Sequence, residues 1–179
     1  METRTAKVNF SLAGGTAGEG AKTCKVTLPN AWLAELGIDQ AHRQIELKFD
    51  GTQITLVPYL DFDQFMESKK AQGHKLCLLR FYDGNRLCST IAADMTDHSL
   101  RVWNEGVELV KTAFGEKLMP SWDDLELFLE ERCVPRERSG IREYLDAIGV
   151  LEYDPLEIIR KTRGRMAEDQ QWLEVEEIP

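Results

Sequence analysis

The sequence predicts a protein of the α+β class, and three observations lead there. Alternating apolar and polar runs concentrate before Asn104, helix-start signals concentrate after Pro120, and Asp-Gly steps at Asp50-Gly51 and Asp83-Gly84 each separate two alternating runs. Strands first and helices later is the signature of segregated α+β layers rather than of a βαβ repeat.

The elements follow in order. Residues 7–12 (KVNFSL) alternate as a half-buried strand does, "AGGTAGEGAK" is a glycine-rich loop, and "TCKVTLP" is the next strand. A short helix follows with Asn30 as its expected N-cap; Trp32, Leu33 and Leu36 share one face, and Gly37 stops it. "QIELKF" and "TQITLVP" form a hairpin around Asp50-Gly51, and Pro58 closes the first block near residue 59. Residues 60–74 are polar and read as a connecting helix or linker. A second hairpin comes next ("KLCLLRF", "YDGN", "RLCSTI"), then a third strand at "SLRVWN".

Three helices are then expected. "SWDDLELFLEERC" opens with Ser121 and has Asp124 three residues on, a capping box; "SGIREYLDAIG" ends in Gly149; "YDPLEIIRKTRG" has Asp154 as N-cap and Pro155 at the first helical position. The last ten residues or so either fray or close a sheet edge. The chain thus divides into residues 1–59, a linker over 60–74, and an acidic α+β domain over 75–179.

Charge separates the two blocks. The chain has 22 basic and 31 acidic side chains, net −9. Six of each lie in residues 1–59, so the remaining 120 residues hold 16 basic and 25 acidic groups and carry the whole excess. An acidic body repels a phosphate backbone and attracts basic surfaces, so its natural partner is a basic protein. With no run of about 18 apolar residues and no charged-then-apolar leader, no membrane span or secretory signal is expected, and the expected compartment is cytoplasmic.

Motifs for catalysis are weak. "GTAGEGAKT" approaches a phosphate cradle, but Ala21 separates Gly20 from Lys22 and a strand, not a helix, follows. Asp94, Asp97 and His98 could in principle hold a metal; they read instead as a solvated turn, with His42 and His74 alone in polar loops. Cys24, Cys77, Cys88 and Cys133 lack metal or disulfide spacing, although Cys77 and Cys88 lie on two arms of one hairpin, and they read as reduced thiols. No nucleophile–base pair is evident, so neither an enzyme nor a cofactor is expected. Trp32, Trp103, Trp122 and Trp172 read as core or cap packing.

Two basic clusters stand against the acidic background: Arg132, Arg136, Arg138 and Arg142, and then Arg160, Lys161, Arg163 and Arg165. Arginine suits bidentate contacts to phosphate or carboxylate, and both clusters flank acidic helices, so partner binding and internal salt bridges are both open. Asp123, Asp124, Glu130 and Glu131 are the acidic candidates for contact with a basic partner.

"KVTLPNAWLAELGIDQAHRQIELKFDGTQITLVP" (Lys25 to Pro58) resembles the swapped-hairpin modules of the AbrB, MazE and SpoVT superfamily, with a strand, a Pro-initiated helix, a Leu-Gly-Ile stop and a closing hairpin. The resemblance covers about the first third of the chain. It implies an interleaved homodimer, since one short hairpin cannot bury its apolar face alone. It also implies duplex-DNA contact, for which the available side chains are Arg4, Lys7, Lys22, Lys25 and Arg43. The neutral first block and the long glycine-rich loop depart from a DNA-reading member, so such binding should be weak and salt-sensitive.

Ala113 to Asp169 looks like a family of small proteins carried by phages and mobile elements of gut Firmicutes, one branch of which comprises anti-CRISPR inhibitors of Cas9. That resemblance implies a non-enzymatic inhibitor that binds the basic channels of a Cas9-type ribonucleoprotein. The alternative is an AbrB-like transcriptional regulator or antitoxin that binds operator DNA as a homodimer.

Overall fold

A computed structural model describes residues 2–13 and 21–178, and it is a mixed α+β protein. The glycine-rich segment 14–20, with Gly15 and Gly20 of the phosphate-cradle reading, lies outside the described residues. The chain divides into two compact units, residues 1–59 and 60–179. Among the described residues no helix is long and apolar enough to cross a membrane.

The first unit contains two separate antiparallel hairpins and one short helix. Strands β1 (Val8–Leu12) and β2 (Lys22–Val26) pair with Phe10 opposite Cys24, and β3 (Ile45–Phe49) and β4 (Ile54–Pro58) pair with Leu47 opposite Leu56. The Asp50-Gly51 turn forms as expected. Gly51 takes φ +95°, which an L side chain would resist, and the Asp50 carboxylate accepts from the Thr52 and Gln53 N–H groups.

Helix α1 (Asn30–Glu35) starts at the expected cap residue, so its cap lies one residue earlier than expected. Pro29 is the N-cap, and its carbonyl accepts from the Trp32 and Leu33 N–H groups, so Asn30 is already helical and its side chain caps nothing. No described residue of this unit is buried.

The second unit is built on a four-stranded antiparallel sheet. The hairpin of β5 (Leu76–Asp83) and β6 (Arg86–Asp94) turns at Gly84-Asn85, β7 (Ser99–Asn104) adds to β6, and β8 (Gln171–Ile178) closes the other edge beside β5. Helix α2 (Phe62–Ala71) occupies the segment expected as a connecting helix or linker, and it belongs to this unit. Asp61 and Gln64 form its capping box, and Phe65 packs with Leu78 and Ala92 on one sheet face.

The other face carries the main core. Cys77, Leu79, Phe81 and Ile91 meet Leu125, Phe128 and Leu129 of α3 (Trp122–Glu131), Leu145 of α4 (Ile141–Ile148), and Ile158 and Ile159 of α5 (Pro155–Thr162). The helix-start signals act as expected: Ser121 and Asp124 cap each other, and the Asp154 carboxylate accepts from the Leu156 and Glu157 N–H groups behind Pro155. The four cysteines are free; Cys77 lies opposite Ala93, not Cys88, and all except Cys24 are buried.

Candidate functional site

The first unit has an unusual deficit. Side chains directly opposite in a hairpin share a face, so Val8, Phe10, Leu12, Cys24 and Val26 lie together, as do Ile45, Leu47, Phe49, Ile54 and Leu56. Both sets are largely uncovered: Phe10 is 67 % exposed, Leu12 79 %, Phe49 72 % and Ile54 70 %. Two apolar sheet faces with no buried residue beneath them cannot stabilise a folded unit alone, because an isolated hairpin is marginal in water.

The five DNA-contact candidates divide. Lys25 faces with Asn9 and Thr23 on the polar side of the first hairpin, whereas Lys22, three residues away on the same strand, points to the apolar side beside Leu12. Arg4 and Lys7 line a common cavity with Asn9, Thr27 and Trp32. Arg4 pairs with Glu2 at 3.4 Å, and Arg43 lies exposed in the loop before β3.

The arginine clusters are largely used inside the second unit. Arg132 is buried. Its Nε–H donates to the Gly164 carbonyl at 3.0 Å, its two terminal nitrogens hold the Asp169 carboxylate at 2.5 and 3.0 Å, and Nη2 donates to the Gln171 carbonyl at 2.9 Å. Arg160 is held by Glu157 and Glu177, each at 2.6 Å. Arg136 lies 4.6 Å over the Tyr153 ring and 3.9 Å from Glu130, and Arg163 and Arg165 both lie against Trp172. Arg138, Arg142 and Lys161 are exposed.

The acidic candidates separate in the same way. Asp124 has a structural role: Lys117 pairs with it at 2.6 Å, and the Ser121 N–H and hydroxyl also donate to it, so its carboxyl is lowered to about 2 by these partners. Asp123, Glu130 and Glu131 are exposed. Asp123 and Glu130 are seven residues apart and therefore on one side of α3, with exposed Glu126 and Leu127 between them.

Two expectations are corrected at the β6–β7 turn. His74 is not alone and Asp94 is not solvated: Asp94 is fully buried, with the His74 ring Nδ1 at 2.6 Å, Lys69 Nζ at 3.1 Å and the Thr96 N–H donating to it. The reason is α2, which lies across that end of the sheet and brings Lys69 over the turn. Burial by itself would raise the Asp94 carboxyl; the His74 ring, the Thr96 N–H and the Lys69 ammonium outweigh it and hold it well below the usual carboxylate range.

Ligand atoms of His74, Asp94 and Asp97 lie within 4.8 Å of one another, but Lys69 pairs with both carboxylates, so an ammonium already supplies the local positive charge. His98 stacks on Trp122 instead, at 4.6 Å. Among the tryptophans, Trp103 departs from the packing expectation and is 56 % exposed.

The sequence reading also missed a groove on the helix-covered side of the sheet, about 410 Å³, lined by residues of β5, α3 and the start of α5. Its residues come from distant segments, so spacing along the chain gave no signal for it. The Asp61/Gln64 capping box, by contrast, is a local pattern that decides for the helix between the two readings of residues 60–74. Comparison with known proteins adds no relative: no family model, no curated protein and no solved structure matches this chain.

Proposed function

We propose that this protein is a homodimeric, non-enzymatic binding protein that inhibits a nucleic-acid enzyme, in its most concrete form an anti-CRISPR protein acting on Cas9. The observation that carries the reading is the disposition of charge in the second unit. Its best-placed arginines, Arg132 and Arg160, are used internally, while Asp123, Glu126, Glu130 and Glu131 stand exposed on α3. Such a surface complements the basic channel of a guide-RNA-loaded nuclease rather than a phosphate backbone.

The first unit serves as the dimerisation device. Pairing with a second copy as an interleaved, swapped hairpin covers the two apolar hairpin faces, and each such Phe, Leu or Ile contributes about 1.5–3 kcal/mol when fully buried. A second reading, an AbrB-like regulator or antitoxin, draws support from one feature. Lys25 and Asn9 share the polar face of the first hairpin, with Lys7 beside Asn9 in the adjacent cavity.

The test is cleavage of a DNA target by Cas9 and guide RNA with this protein titrated in, beside a mobility shift on plain duplex at two salt concentrations. Loss of cleavage near one equivalent, with a weak and salt-sensitive shift, is the expected result. Full cleavage with a sequence-dependent shift would overturn the inhibitor and leave the regulator.

A further inference from the structure

The first unit holds a cavity of about 400 Å³ between the residues that lead into β1 and the turn from β2 into α1. Its lining carries two cations, Arg4 and Lys7, and no acidic side chain. Thr5, Asn9 and Thr27 add hydrogen-bonding groups, and Trp32 forms an aromatic wall. The five polar residues are exposed and Trp32 is half-buried, so their side chains are open to a ligand. Asn9 lies on the polar side of the first hairpin, away from Phe10 and Cys24. A second copy packed against the apolar faces therefore leaves this side free.

One group already occupies the edge of the cavity. The Glu2 carboxylate accepts from the Trp32 indole N–H at 2.5 Å and from the Arg4 guanidinium at 3.4 Å, and that guanidinium lies 5.7 Å from the indole centroid. The chain thus seats an oxyanion of its own between a guanidinium and an indole N–H. Glu2 neutralises Arg4 but not Lys7, which takes part in no ion pair among the described residues. With Glu2 counted, the site still carries one uncompensated positive charge.

A phosphate monoester meets these groups better than a carboxylate does. It has nearly two negative charges and three strong acceptor oxygens, enough to engage Arg4, Lys7 and the indole N–H together. The indole wall adds a preference for a flat ring, since aromatic side chains stack on bases of any sequence. In a duplex both faces of each base are already stacked, so duplex DNA offers the phosphate without the ring. The volume lies within the range of about 300–1,000 Å³ usual for small-molecule sites. We propose that this cavity binds a mononucleotide, with the phosphate on Arg4 and Lys7 in place of the Glu2 carboxylate and the base against Trp32. The site is independent of the inhibitor reading, and Cas9 cleavage is no readout for it.

The probe is adenosine monophosphate, titrated into the full-length protein by isothermal calorimetry, with adenosine and inorganic phosphate as companions. The nucleotide is expected to bind, and each companion to bind at least about tenfold more weakly. Lys7→Gln should lower the nucleotide affinity about tenfold with the melting temperature unchanged, since the side chain is exposed. Glu2→Gln should raise it about threefold by removing the competing carboxylate.

Inorganic phosphate or adenosine binding as tightly as the nucleotide would overturn the proposal, because one half of the ligand would then be idle. So would indifference to Lys7→Gln, or an affinity that Glu2→Gln leaves unchanged or lowers. Full displacement of the nucleotide by duplex DNA at equal phosphate concentration would make the cavity part of a backbone-tracking surface and overturn it too. Absence of binding at millimolar nucleotide would do the same.

Discussion

Replacing Arg132 by alanine removes a side chain that two opposed readings treat differently. If it were a surface contact for a partner, the fold would be indifferent to its loss. In the structure it ties the end of α3 to the turn after α5 and to the start of β8, through Gly164, Asp169 and Gln171. The side chain is 9 % exposed and Asp169 32 %. Arg132→Ala therefore takes the guanidinium from two carbonyls and from a half-buried carboxylate that keeps, among the described residues, only the Gln171 N–H.

Breaking a buried ion pair by removing one partner costs about 3–5 kcal/mol. Because the Asp169 carboxylate retains partial access to water, the lower end applies, about 3 kcal/mol. With a urea slope of about 1.5 kcal/mol per molar, the unfolding midpoint should fall by roughly 2 M. Arg132→Lys should recover less than half of the loss, since an ammonium cannot hold the planar fork of contacts. Equilibrium urea unfolding followed by circular dichroism measures both. A midpoint shift corresponding to less than about 0.5 kcal/mol for Arg132→Ala would place the residue among ordinary surface positions and refute the argument.

Three further outcomes are expected. Gly164 has φ +58° and an added Cβ would lie 3.2 Å from the Arg132 Cβ, so Gly164→Ala should destabilise by about 1–3 kcal/mol in the same urea assay, against near-neutrality if the turn were free to adjust. The Asp94 carboxyl is held below its unfolded value, so its stabilising contribution is fully present above about pH 4 and is lost as pH falls through the folded value. Urea midpoints measured between neutral and strongly acidic pH should fall less steeply in Asp94→Asn, which starts lower at neutral pH, and parallel curves would refute the assignment. Cys24 lies opposite Phe10 on the apolar hairpin face and is exposed in a single chain, so maleimide should label it slowly in the wild type and quickly in a Phe10→Glu variant. Buried Cys133, whose thiol burial pushes up to about 12, should stay unlabelled in both, and equally fast Cys24 labelling would mean that nothing covers that face.

What could be read in advance follows from how local each signal is. The Ser121/Asp124 capping box, the Asp154-Pro155 start of α5 and the Asp50-Gly51 turn involve neighbours within four residues, and each forms as read. Asn30 failed as a cap because the Pro29 carbonyl itself accepts the first helical bonds, a one-residue shift that side-chain preference cannot see. Burial of Asp94 was not legible, since it depends on Lys69 from α2 and His74 before β5 meeting the end of β6. Likewise the separation of Arg132 and Arg160 from their exposed neighbours depends on Asp169 and Glu177, residues 37 and 17 positions away. The acidic stripe on α3 is half legible: charge alone singles out Asp123 and Glu130, and helix geometry rather than composition aligns them with Glu126.

The most direct test of the account is the mass of the full chain by sedimentation equilibrium, for the wild type and for a Phe10→Glu/Phe49→Glu double variant. The account predicts a wild-type mass of twice the 20.4 kDa chain, falling to 20.4 kDa in the variant while the second unit keeps its helical signal. A wild-type chain that remains a 20.4 kDa monomer at all concentrations, with a folded first unit, would contradict it.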